Sequence, residues 1–257
     1  MKIFITLCFM LSLLTLTNAT PPQALKLMKG NPKNVVKMNL IPIAFKTYSF
    51  QYEHSIMRNL SLCLQVGYNS ELRLGTYINR ILDTVSNARL NAARAKFALT
   101  ELTTTGNTYI TPELRIYISR KGAPNGFYLA PYYRFTTSKL HATFTYKDSN
   151  NVDIPVLFTG NLNSVRPGVM VGYQKSFLKR LVVDFWLGGV QFGSSKASFD
   201  ATSDFTKVDK QGVVQFIDDN FKYGNATVTF DSDTHAKLEY NGKTNGFRVG
   251  LCLGFRF

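Results

Sequence analysis

Beyond residue 16 the chain has no apolar run of the roughly 20 residues that a membrane-crossing helix requires. That absence excludes a helical membrane protein. Membrane strands stay open, because a hydrophobic fraction of 45% conceals them well. Cysteine is scarce, and with Cys8 inside the leading apolar run, Cys63 and Cys252 are too few for a disulfide scaffold, although a bond between them stays open. Acidic residues are outnumbered, 16 Asp and Glu against 30 Lys and Arg. The excess suits an anionic membrane surface or polymer partner. Neither zinc-ligand spacing nor an aromatic-basic pattern accompanies it, so no nucleic acid is expected.

The three histidines, His54, His141 and His235, stand at no spacing that would join a base to Ser138, Ser149 or Ser232 and an orienting acid. No catalytic residue is expected. The aspartates Asp200, Asp204, Asp209, Asp218, Asp219, Asp231 and Asp233 do not follow a calcium-loop pattern. Neither a metal site nor a cofactor is expected.

What is present begins with Met1-Lys2, an apolar stretch over 3–16 and small residues at Thr17 and Ala19, which reads as a secretory signal cleaved after Ala19. Residues 20–35 then form a periplasmic N-terminal segment, and 36–257 the folded body. In residues 247–257 every odd position (Phe247, Val249, Leu251, Leu253, Phe255, Phe257) is bulky and apolar, and every even one is Arg, Gly or Cys. Lipid on one side and a polar lumen on the other produce that alternation.

The same period predicts strands over 36–43, 47–56, 60–68, 108–119, 127–146, 156–173, 181–192 and 247–257. Pro131 and Pro167 weaken two of them, since each removes a ladder donor, unless a bulge takes them. Connections after the second, fourth and sixth strands are short, whereas 69–107 and 193–245 are long. Alternating tight turns and long loops fit an all-β, eight-stranded, antiparallel, up-and-down transmembrane barrel with two long extracellular loops. Phe45, Tyr48, Tyr68, Tyr109 and Phe247 fall at one expected interface, and Phe127, Tyr173, Phe177 and Phe257 at the other.

On these faces Lys37, Glu53, Glu113, Arg115, Arg134, Arg166, Asp184, Arg248 and Arg256 point inward as a lumen charge network. A barrel this narrow is filled by side chains, so such charges must pair. The cations outnumber the carboxylates, which leaves an anion-binding or anion-conducting pore as an alternative. Within the first loop, Ile78, Ile81, Leu82, Val85, Ala88, Ala92, Ala95 and Leu99 recur at helical spacing, so that loop is expected to be partly helical. Residues 225–240 of the second alternate weakly, as a hairpin would.

Asn39, Tyr52-Glu53, Pro112-Glu113-Leu114-Arg115-Ile116-Tyr117, Gly126-Phe127-Tyr128-Leu129-Ala130-Pro131-Tyr132 and Gly246-Phe247-Arg248-Val249-Gly250 together resemble a family of Bacteroidota outer-membrane barrels, domain of unknown function 3575. The resemblance implies fold and location, the cell outer membrane of a Gram-negative bacterium, and no settled activity. Terminal Phe257 and its alternating apolar partners also resemble the signal read by the barrel-assembly machinery.

The function expected is therefore that of an integral, porin-like outer-membrane β-barrel protein, non-catalytic, with a structural or surface-binding role. Its partners are outer-membrane lipid, the assembly machinery during insertion, and an extracellular protein or glycan at the loops. Two alternatives are an outer-membrane lipid-modifying enzyme and a secreted soluble barrel carrying a lipid-like ligand. The soluble barrel reverses the faces, placing Phe50, Leu62, Leu251 and Leu253 inside and Arg134 and Arg248 in water.

Overall fold

A computed structural model describes residues 33–69, 72–73, 97–119, 122–147, 152–177, 180–211, 213–214 and 224–257. The expected signal, most of the N-terminal segment and most of the expected loop helix lie outside the described residues. No described helix is long and apolar enough to cross a membrane, which says nothing of crossing by strands.

The strands are β1 (Asn34–Asn39), β2 (Thr47–Met57), β3 (Leu60–Asn69), β4 (Leu72–Arg73), β5 (Phe97–Tyr117), β6 (Gly126–Lys147), β7 (Asp153–Phe177), β8 (Leu181–Thr202), β9 (Gly224–Phe230) and β10 (His235–Arg256). All belong to one antiparallel sheet that curls into a ring-like arrangement. The first strand pairs with the last, from Val35↔Arg256 to Asn39↔Cys252. β10 therefore changes partners along its length. Beside β8 throughout, it borders β1 near its C-terminal end and β9 over Ala236↔Phe230 to Gly242↔Gly224.

Tight connections gather at one end of the ring, at residues 58–59 and 118–125, where Gly122 and Gly126 take positive φ that favours glycine. The opposite, far end carries the longer connections.

Several strands run further than hydrophobic alternation indicates. Residues 97–107, expected as loop and in part helix, belong to β5, and 193–202 and 235–245 of the expected second loop extend β8 and β10. In the latter two the contrast is reversed: Ala197, Phe199 and Ala201, and Ala236, Leu238 and Tyr240, face inward while Lys196, Ser198, Asp200, Lys237 and Glu239 face outward, so these stretches do not continue the outward-apolar pattern. The weakly alternating 225–240 does form a hairpin, β9 turning into β10. At the N-terminal side the correction runs the other way. Residues 41–43, expected to end the first strand, belong instead to a 3-10 turn over Ile41–Phe45 that has Pro42 in its first turn.

Pro131 and Pro167 sit inside strands. The ladder between β5 and β6 skips from Glu113↔Tyr132 to Ile116↔Leu129, and that between β7 and β8 skips from Val165↔Ser194 to Gly168↔Gln191, so each proline faces a missing rung. β8 also carries one extra residue relative to both neighbours at Gly188, whose φ is +75°. Outward positions consequently change from odd (Leu181, Phe185, Leu187) to even (Val190, Phe192) across it.

Phe50, Leu62, Leu251 and Leu253 lie on the exposed outer face and Arg248 on the enclosed one, opposite to the arrangement of a soluble ligand-carrying barrel. Of the expected interfacial aromatics, Phe45, Tyr48, Tyr68, Phe247, Phe127, Tyr173, Phe177 and Phe257 are exposed. Tyr109 is not: it is interior, lying against Gly67 across the ladder, because it shares the parity of Thr111 and Glu113. The outer face changes character along the long strands. Along β6 and β7, Phe127↔Tyr173, Leu129↔Val171, Pro131↔Val169, Tyr133↔Pro167 and Phe135↔Val165 give way to Thr137↔Asn163 and Lys139↔Asn161. Along β8 and β10, Val190↔Phe247 gives way to Ser194↔Lys243, Lys196↔Asn241 and Asp200↔Lys237.

Inside, two clusters are separated along the ring. Near the tight turns Tyr117, Tyr128, Ala130, Tyr132, Met170, Trp186 and Cys252 pack together. At the far end Phe205 and Val208, from the segment after β8, pack with Tyr146, Ile154, Val156, Ala201 and Ala236 on the inner face.

Candidate functional site

Strand parity places the charged side chains. On β2 the inward positions include Ser49, Gln51 and Glu53; on β5, Thr111, Glu113, Arg115 and Tyr117; on β8, Asp184 and Trp186. These elements close around Lys37 of β1 and Arg115 of β5, both withdrawn from solvent.

Lys37 spends its three donors completely, on Glu53 Oε2 at 2.7 Å, Asp184 Oδ2 at 2.7 Å and Gln174 Oε1 at 2.8 Å. Arg115 donates to Asp184 Oδ2 at 2.6 Å from Nη1, and to Glu113 Oε2 from Nη2 at 2.8 Å and Nε at 3.1 Å. Longer contacts join it to Glu53, Gln174 and Gln51. The carboxylates are satisfied from the other side: Ser61 and Tyr117 hydroxyls each donate to Glu53 Oε1 at 2.6 Å, and the Tyr128 hydroxyl to Asp184 Oδ1 at 2.8 Å. The Arg115 guanidinium lies 4.6 Å from the centroid of the Tyr128 ring.

Burying such charges is tolerable only with complete pairing. Two cations and three carboxylates meet here, and Arg248 supplies the third positive charge through Glu113 Oε1 at 3.0 Å. The result is a neutral, tightly bonded block that fills the ring near its tight turns.

Of the residues expected inward, Glu53, Glu113, Arg115, Asp184 and Arg248 thus come together with Lys37. Arg134 and Arg166 stand apart, further toward the far end, and Arg256 is buried at the tight-turn end in the field of Glu53. Sequence reasoning singled out the charges and passed over their neutral partners Gln51, Ser61, Gln174, Tyr117 and Tyr128. Inward parity was the signal that could have found them.

The residues tested for catalysis do not converge. Ser138 is inward and donates to Asn107 Oδ1, while His141 contacts Thr159 Oγ1 at 3.1 Å through the other face of the sheet. His54 meets Asn34, and Ser232 accepts from the backbone N–H of His235 in an exposed turn. Ser149 lies outside the described residues. Cys63 and Cys252 are both buried and free.

No protein-family model matches the chain, and no curated protein matches it.

Proposed function

We propose that this chain is an integral outer-membrane protein of a Gram-negative bacterium, an eight-stranded, antiparallel, up-and-down β-barrel, with a non-catalytic role in structure or in surface binding at its far end. The observation that carries the reading is the outer face: exposed bulky apolar residues on every long strand, which along β6, β7, β8 and β10 give way to a mainly polar stretch of Thr, Asn, Ser and Lys. Water alone gives no reason for Leu62, Phe127, Phe192 and Phe247 to stand more than half exposed. An acyl layer does. From Phe247 to Phe257 the strand advances about 33 Å, or about 25 Å along the axis at a tilt near 40°, the height of a hydrocarbon band.

In this reading the closing ladder of β1 with β10 completes the barrel, the neutral ion block plugs its lumen, and β9, a partial strand beyond the band, belongs to the outward extension. The resemblance to the Bacteroidota barrel family points the same way.

Membrane fractionation tests it. The protein should sediment with membranes, resist carbonate, require detergent for release, and shift in gel mobility when boiled. Recovery in the supernatant of lysed cells without detergent overturns the reading. Protease added to intact cells should cut within 70–96 or 203–223 and spare the band.

A further inference from the structure

On the far-end side of the neutral block three guanidinium groups face inward from three strands: Arg134 on β6, Arg166 on β7 and Arg248 on β10, the last of which also belongs to the block. Arg134 and Arg166 are direct ladder partners. Arg134 stands in the field of Arg166 and Arg248, and Arg166 in that of Arg248. Among the described residues neither Arg134 nor Arg166 forms an ion pair with a carboxylate. Arg166 donates to the Thr136 hydroxyl at 3.1 Å, and Arg248 donates to Gln65 and shares Glu113 with Arg115.

Glu113 already balances Arg248, so Arg134 and Arg166 add two cations with no carboxylate of their own beside it, an arrangement that is unfavourable unless an anion joins them. The local packing prepares for one. The Arg134 guanidinium carbon lies 3.7 Å from the centroid of the Tyr109 ring, and that of Arg248 4.4 Å from the centroid of Tyr132. These cation–ring contacts hold both groups in place. Arg248 is 6% exposed, yet its Nη1 has no hydrogen-bond partner, and the same holds for buried Nε of Arg166. One rung further, the paired hydroxyls of Ser164 and Ser195 line the wall. Toward the tight turns the interior is filled by Tyr132, Met170 and Trp186, which pack together.

We propose that Arg134, Arg166 and Arg248 form a binding site for an oxyanion of the phosphate class. Guanidinium N–H groups on three separate strands, with Arg248 Nη1 and Arg166 Nε unpartnered, suit a tetrahedral anion with several acceptor oxygens better than a planar carboxylate with two. The site depends on the interior alone and not on what surrounds the outer face.

Calorimetric titration of the purified full chain with inorganic phosphate, at constant ionic strength set with chloride, tests the assignment. Saturable binding is expected, weakened at least tenfold in Arg134→Gln/Arg166→Gln and unchanged in Arg180→Gln, which alters an exposed cation near the tight turns. The double variant removes mutually repelling charges, so it should fold; Arg134→Lys/Arg166→Lys, which keeps charge and loses the forks, should bind with intermediate strength. Absence of saturation, equal binding of acetate, or wild-type affinity in the Gln variant overturns the proposal. Glycerol 3-phosphate in place of inorganic phosphate separates a site open to phosphomonoesters, such as a sugar or lipid headgroup, from one closed around the free ion.

Discussion

Gly250 of β10 lies directly across the ladder from Trp186 of β8, and the indole occupies the space where a Cβ on residue 250 would stand. The same arrangement recurs at Gly67 with Tyr109, Gly168 with Tyr132 and Gly172 with Tyr128. Glycine on one strand is what admits a large ring from the next into a narrow interior. Gly250→Ala should therefore destabilise the ring by about 1–3 kcal/mol through overpacking. The midpoint of urea unfolding, followed by tryptophan fluorescence, measures it.

The ion block should behave as a unit. Lys37→Met leaves Glu53 and Asp184 short of a partner and should cost about 3–5 kcal/mol, as breaking one side of a buried pair does. Adding Glu53→Gln should restore part of the loss, because the uncompensated charge goes too. A double-mutant cycle on urea midpoints checks the sign of that coupling.

Charge placed on the outer face discriminates its surroundings. Leu251→Arg, in the middle of the apolar band, should cost about 2–4 kcal/mol if the band faces lipid. Asn241→Arg, on the same strand beyond the boundary, should stay within about 0.5 kcal/mol, as exposed substitutions do. Folding into lipid vesicles compares them; equal, small effects would remove the lipid.

The far-end segment is held by its own small core. Phe205, 4% exposed, meets Phe230 edge to face at 5.4 Å between centroids. Phe205→Ala should remove about 3–5 kcal/mol of local packing and open the segment without melting the ring. Limited proteolysis should cut near residue 205 much faster in the variant, while the urea midpoint of the ring holds.

Legibility followed contrast between the faces. Residues 247–257 could be read side chain by side chain, since every bulky residue has a small or charged neighbour, and the structure gives them that alternation. Where the contrast reverses, as in 193–202 with Ala197, Phe199 and Ala201 inward and Lys196, Ser198 and Asp200 outward, a search for outward bulky residues passed over the same backbone. The phase change at Gly188 was equally hidden: Leu187 and Val190 both face outward, which looks irregular until one extra residue is placed in β8. The charge cluster was half legible. Parity gave Glu53, Arg115 and Asp184 a common face, but grouping them apart from Arg134 and Arg166 depends on height along the ring, and that needs the register between strands.

The change of partners along β10 bears on how the molecule assembles. Its ladder with β1 joins residues more than 200 positions apart and is short beside the long ladders that consecutive hairpins make. Chain-entropy arguments make such a junction late to zip and early to part. Lys37, projecting from β1 to Asp184 on the strand beyond β10, acts as a clasp laid over that weak line, so locking the circle and neutralising its centre become a single event.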